Sequence, residues 1–137
     1  MAYRIFDHTA DLGVEVTAAS QEELYADAAI ALFDLLTDPE TVRSDASREV
    51  SIAGGDAADL LVNFLRELLD AYNHDGFLMK SCLVQEVNPR WLKALLRGES
   101  FDPARHRIEK EIKAVTYHQA SVEKTEDGWL ARVVFDV

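Results

Sequence analysis

The sequence predicts an α+β fold, with two amphipathic helices packed on one face of a mixed, mainly antiparallel β-sheet. Three observations lead there. Two apolar stripes with helical spacing lie in the first half of the chain. Short segments that suit strands flank and follow them, punctuated by turn residues. The C-terminal half reads as a meander ending in hairpins, with no helix between its strands, which points away from a parallel βαβ sheet. At 137 residues the chain makes one domain, 1–137. Hydrophobic residues make up 48% and fall in regular patterns, which excludes a disordered chain. Folding can hide roughly two-thirds of the unfolded surface.

Tyr3 to Phe6 is a short apolar run that suits a strand, and the polar segment Asp7-His8-Thr9-Ala10-Asp11 follows it. Leu12 to Thr17 alternates apolar and polar, as a half-buried strand does. Ser20 with Glu23 matches a capping box, in which the serine oxygen takes an orphan amide at a helix start. The helix behind it carries Leu24, Ala28, Ala31, Leu32 and Leu35 on one stripe and runs to about Leu36, where Asp38-Pro39 ends it. Glu49 to Ile52 reads as another half-buried strand. Gly54-Gly55-Asp56 opens a second helix, in which Leu60, Leu61, Phe64, Leu65, Leu68, Leu69 and Tyr72 recur at spacings of three and four. These stripes are core. Asn73-His74-Asp75-Gly76 supplies the turn chemistry that stops the helix.

Phe77 to Val87 suits a strand, and Asn88-Pro89-Arg90 a turn. Trp91 to Arg97 has a composition that fits helix or strand; the turn before it places it as the second arm of a hairpin. Gly98 to His106 reads as irregular. Ile112 to Glu123 is a strand, with Lys113 and Tyr117 on one face and Thr116 and His118 on the other. Glu126-Asp127-Gly128 is a tight turn. Trp129 to Val137 is the last strand, with Trp129, Ala131, Val133 and Phe135 on one face and Leu130, Arg132, Val134 and Asp136 on the other.

Charge narrows the function. Fourteen Lys and Arg face 25 Asp and Glu, a net charge of −11. A protein that grips nucleic acid unaided presents a basic face to the phosphates, and an anionic membrane surface repels an acidic chain. The only cysteine, Cys82, allows no internal disulfide and reads as a small core residue. The N-terminus is too polar for a signal peptide, and no apolar run approaches the roughly 18 residues that cross a bilayer. The expectation is a soluble, cytoplasmic protein with no membrane partner.

No nucleophile elbow, phosphate loop, dinucleotide fingerprint or zinc-ligand cluster occurs. His8, His74, His106 and His118 lack close metal-ligand spacing. The segment from Asp7 to Asp11 has two readings. In one, Asp and Thr side chains satisfy turn amides. In the other it contributes to a hard-cation site, because Mg²⁺ and Ca²⁺ take anionic and carbonyl oxygens. Asp11 precedes one strand and Asp136 lies near the end of another. If those strands are neighbours the two carboxylates meet, and Val137 adds a carboxylate and a main-chain oxygen.

The chain resembles the archease family along essentially its whole length. The resemblance rests on Phe6-Asp7-His8-Thr9-Ala10-Asp11-Leu12-Gly13, on Ala31-Leu32-Phe33, and on Leu61-Val62-Asn63-Phe64-Leu65-Arg66-Glu67-Leu68-Leu69. It rests also on Phe101-Asp102 with Arg105-His106, on Glu111-Ile112-Lys113-Ala114-Val115-Thr116-Tyr117-His118, and on Val134-Phe135-Asp136-Val137. His-Thr-Ala-Asp and Lys-Ala-Val-Thr-Tyr-His, in this order, are its specific signals. The resemblance implies a non-catalytic activator of the RtcB-type RNA ligase in tRNA splicing. Such an activator promotes guanylylation of the ligase, lets it turn over repeatedly, and meets RNA only through it. Family relatives are also tied to tRNA-modifying enzymes.

The implied metal site is Asp11, Asp136 and Val137, holding Ca²⁺ or Mg²⁺/Mn²⁺, with His8, His118 and Lys113 as flanking groups. Asp7 stands where the family motif varies and is left out of the core site. Crowded carboxylates repel one another unless a cation joins them. His118 has two readings, a partner to the acidic site or a hydrogen-bonded edge residue. Two other functional classes compete with activation: a metal-dependent hydrolase and a chaperone-like binding module.

Overall fold

The computed structural model describes residues 3–8 and 11–137, without the side chains of residues 6–8. Strand β1 spans Tyr3–His8 and β2 spans Asp11–Ala18, and helix α1 follows at Gln21–Leu36. A single 3₁₀ turn, Pro39–Thr41, leads to β3, Ala46–Ala53. Helix α2 covers Ala57–Asp75. The chain then continues as β4 (Phe77–Asn88), β5 (Trp91–Ser100), β6 (Ala114–Lys124) and β7 (Trp129–Asp136). No helix among the described residues is long and apolar enough to cross a membrane.

Both helices begin on caps written in the sequence. Ser20 Oγ accepts the Glu23 N–H at 3.2 Å, and Asp56 Oδ1 accepts the Asp59 N–H at 2.8 Å. Asp59 in turn accepts the Gly55 N–H at 2.7 Å. At the far end of α2, Gly76 takes φ 69°, the left-handed cap that a side chain disfavours, and its N–H reaches the Tyr72 carbonyl at 2.8 Å.

The α+β class is as expected, and every paired strand runs antiparallel. The strands divide between two sheets, one ordered β1-β2-β7-β6 and the other β3-β5-β4. One core cluster joins them: Val14, Val16, Val133 and Phe135 of the larger sheet, Val50, Leu92 and Leu96 of the smaller, and the apolar faces of α1 and α2. Each helix touches both sheets. Helix α1 shows why. Leu24, Tyr25, Ala28, Ala29, Ala31, Leu32, Phe33 and Leu36 are all buried, a surface too wide for one sheet. Of the expected stripe, Leu24, Ala28, Ala31 and Leu32 are buried and Leu35 is half-buried, so the stripe was narrower than the surface α1 buries.

Two further differences matter for the site. Strand β5 runs on through Gly98 to Ser100, where the glycine had suggested irregular chain. A Cβ on Gly98 would meet the Leu78 carbonyl oxygen at 1.9 Å, so the close approach of β4 requires glycine there. In β6 the pairing with β7 jumps between Thr116 and Ser121. Simple alternation therefore fails beyond Thr116, and Lys113 precedes the strand. Gln119, inside the jump, takes φ 59°.

The stretch between β5 and β6 is pinned by a buried ionic cluster. Glu99 is only 6% exposed and His106 only 4%. Arg105 grips Glu99 with both terminal guanidinium nitrogens, and the Arg43 N–H donates to Glu99 Oε2 at 2.7 Å. His106 Nδ1 accepts the Asp102 N–H at 2.8 Å, which leaves Nε2 to donate to Glu99 Oε2 at 3.0 Å. Farther along, Thr37 Oγ1 donates to the Arg107 carbonyl at 2.7 Å, and the Glu109 N–H reaches the Leu36 carbonyl at 2.8 Å. These bonds fix where β6 begins.

Gly98→Ala forces β4 away from β5 and should destabilise the protein by about 2–4 kcal/mol in urea unfolding. The Arg105 guanidinium, with the Arg43 amide and His106, lowers the Glu99 carboxyl to about 2. A depressed carboxyl contributes stability at neutral pH that is lost as pH falls from its unfolded value near 4.5 through 2. Glu99→Gln should lower the melting temperature by several degrees at pH 7, and the gap to wild type should close toward pH 2. A gap that persists unchanged at pH 2 would contradict the assignment.

Candidate functional site

Pairing of the larger sheet sets the geometry. Strand β2 faces β7 in unbroken register, Asp11 opposite Asp136, Val14 opposite Val133 and Val16 opposite Ala131. Residues directly opposite on antiparallel strands share a face. The pairs with Leu12, Val14 and Val16 face the helices, so Asp11 and Asp136 lie on the outer face. His8 is the register partner of Asp11 and Ala114 is that of Asp136. One row across the sheet therefore reads His8, Asp11, Asp136, Ala114. Two rows inward, Glu15 is paired with Arg4 at 2.9 Å and with Arg132 at 3.1 Å.

The sequence-predicted residues fall as follows. Asp11 and Asp136 are brought together as cross-strand partners, both half-buried. Val137 follows Asp136 directly and packs, half-buried, against the core. The Lys113 N–H donates to the Asp136 carbonyl at 2.7 Å, so its backbone adjoins the row. His8 stands in the row, while its side chain and the residues Thr9 and Ala10 lie outside the described residues. His118 is exposed in the irregular part of β6, and its N–H donates to Thr116 Oγ1 at 3.2 Å. Among the described residues no three His, Cys, Asp or Glu side chains gather as a ready-made metal cage. The donor set that does gather is two hard carboxylates on one face, with main-chain oxygens beside them. That suits Ca²⁺, Mg²⁺ or Mn²⁺ and not a thiophilic metal.

Beside this row lies a groove of 270 Å³ between α2 and the start of β6. Arg66, Asp70 and Asn73 line it from the helix and Lys113 from the strand side. Arg66 is held in place: its Nε donates to the Val115 carbonyl at 3.0 Å, and its guanidinium carbon lies 4.2 Å from the centre of the Tyr117 ring. Tyr117 is fixed in turn by its hydroxyl, which donates to Asn63 Oδ1 at 2.8 Å. In the sequence Arg66 stands out only within the segment from Leu61 to Leu69 and Asn73 only as a helix-stopping residue, while Asp70 carries no assigned role. Their spacings of four and three, a polar edge beside the leucine stripe of α2, were the signal for the groove.

Comparison with known proteins places the chain in a family. The family model described as the Archease protein family matches residues 3–137. The chain is similar to the protein archease of Methanopyrus kandleri, 38% identical over 140 residues that span the whole of both chains. It is also similar to that of Pyrococcus abyssi, 38% identical over 136 residues and 96% of each chain. Among solved structures, the solution structure of Methanobacterium thermoautotrophicum protein 1598 superposes with a TM-score of 0.81 at 29% identity, covering 98% of each chain. The crystal structure of an archease from Thermotoga maritima, described as a possible chaperone, shares the fold with a TM-score of 0.64 at 23% identity, over 96% of this chain and 94% of that one. The chain belongs to the archease family.

Proposed function

We propose that this protein is an accessory activator of an RtcB-type RNA ligase in tRNA splicing, acting through a divalent cation bound at the Asp11–Asp136 end of the larger sheet. The observation that carries the reading is the register that sets Asp11 directly opposite Asp136. Two carboxylates in that relation repel each other and destabilise the pairing on their own. A hard cation reverses the sign of that interaction, and Asp11, Asp136 and a main-chain oxygen at Val137 are the groups that would hold it. Such a cation would supply concentrated positive charge to a partner's oxygen groups. The rest of the chain positions the carboxylates. Paired strands fix their separation, and the Lys113 N–H ties the Asp136 backbone to the entry of β6.

Family membership supports the same reading. The chain would promote guanylylation and repeated turnover of the ligase without catalysing a step itself. The net charge of −11 fits a partner that presents a basic, RNA-binding surface, with RNA met only through that partner. The description of the Thermotoga relative as a possible chaperone favours a second reading, a binding module that shields another protein.

Turnover counting separates these readings. With ligase, GTP, Mn²⁺ and RNA ends, wild-type protein should raise the number of ligations per ligase well above one. Asp11→Asn and Asp136→Asn should each cut that stimulation about tenfold or more. Full stimulation by both variants would overturn the site, binding to the ligase without stimulation would favour the chaperone-like module, and turnover of phosphoesters by the protein alone would indicate a hydrolase. A divalent cation added to chelator-treated protein should raise the melting temperature of the wild type and leave that of Asp136→Asn unmoved. Thermal unfolding with and without the cation reads this directly.

A further inference from the structure

The groove beside the acidic row is charged in the opposite sense. Arg66 spends only its Nε on the Val115 carbonyl. Among the described residues its two terminal nitrogens make no hydrogen bond or ion pair, and neither does the Lys113 ammonium. Both line the same 270 Å³ space, and Asn73 joins them from about two turns farther along α2. The Tyr117 ring and the Val115 carbonyl already fix the guanidinium, so little side-chain freedom remains to be lost when an anion arrives. Uncommitted donors from a planar fork, a point-charge ammonium and an amide, converging from two elements, match an oxyanion with several acceptor oxygens.

We infer that this groove is a phosphate-binding subsite, in which Arg66 and Lys113 hold one phosphate group of a nucleotide or of an RNA end. The size of the charge sets that limit. Two cations suit a single phosphate, whereas the chain as a whole, at −11, repels a polyanion. Asp70 also lines the groove and forms no ion pair with either cation among the described residues. Its carboxylate lies among the anion's neighbours and weakens binding. Arg66 and Asp70 therefore act with opposite sign. The subsite does not need the divalent cation; only the choice of nucleotide or RNA end as the source of the phosphate rests on the proposed function.

The test uses the full chain in a chelating buffer. Inorganic phosphate, GMP and an oligoribonucleotide ending in a 3′-phosphate are titrated separately, with acetate as the carboxylate control. The readout is the NMR shift of the Asn73 side-chain amide. Saturable binding of phosphate is expected, weakened about tenfold in Arg66→Gln and in Lys113→Gln, and strengthened in Asp70→Asn. Asp11→Asn should leave it unchanged, which separates this subsite from the cation site. Tighter binding of GMP than of the oligonucleotide assigns the phosphate to a nucleotide, and the reverse assigns it to an RNA end. Because the Lys113 side chain makes no hydrogen bond or ion pair among the described residues, Lys113→Gln tests the subsite even if Arg66→Gln loosens β6. Absence of saturable binding, equal binding of acetate, or weakening by Asp70→Asn would overturn the proposal.

Discussion

Unbroken pairing joins β2 to β7, from Asp11 opposite Asp136 to Ala18 opposite Trp129. The inward residues of this ladder, Val14, Val16, Ala131, Val133 and Phe135, are buried to within about one per cent, so the core specifies the register. A slip of one residue would turn these side chains to solvent and bring the charged set inward. The same constraint that fills the core thus holds two carboxylates face to face at the outer end of the ladder. The fold cannot separate Asp11 from Asp136 without losing its apolar face.

The second sheet and the buried ionic cluster serve the same end. Helix α1 is apolar around most of its circumference and lies against β4 as well as β2, which binds the small sheet to the large one through a shared core. The Glu99–Arg105–His106 cluster then fastens the stretch that returns the chain from β5 to β6. Removing a partner from such a cluster leaves a buried charge uncompensated. Its position explains its cost: it fixes the approach of Lys113 and Ala114 to the Asp136 row.

Much of this could be read from residue order because it is local. Ser20 and Asp56 announced their helices by capping chemistry, Gly76 announced an end, and the alternation of Trp129 to Asp136 gave both faces of β7. The acidic residues of the row were legible as residue types. Their meeting was not, because it depends on a strand pairing more than a hundred residues apart in sequence. The division into two sheets was written in Tyr25, Ala29 and Phe33, which lie off the stripe that one sheet would cover. Three further features could not be read from local pattern. The backbone contact that demands Gly98, the break in β6 after Thr116, and the burial of Glu99 each depend on what a distant segment brings alongside.

At stake is whether a hard cation binds where Asp11 and Asp136 oppose each other. Titrating Mn²⁺ into isotopically labelled protein tests it most directly, since the bound ion broadens nearby amide signals. The account predicts broadening at stoichiometric metal centred on Leu12, Ala114 and Asp136, sharp signals at Gly128 and Trp129 at the other end of the ladder, and loss of the effect in Asp11→Asn. Broadening centred on another acidic stretch, such as Glu126-Asp127, or none at stoichiometric metal, would contradict it.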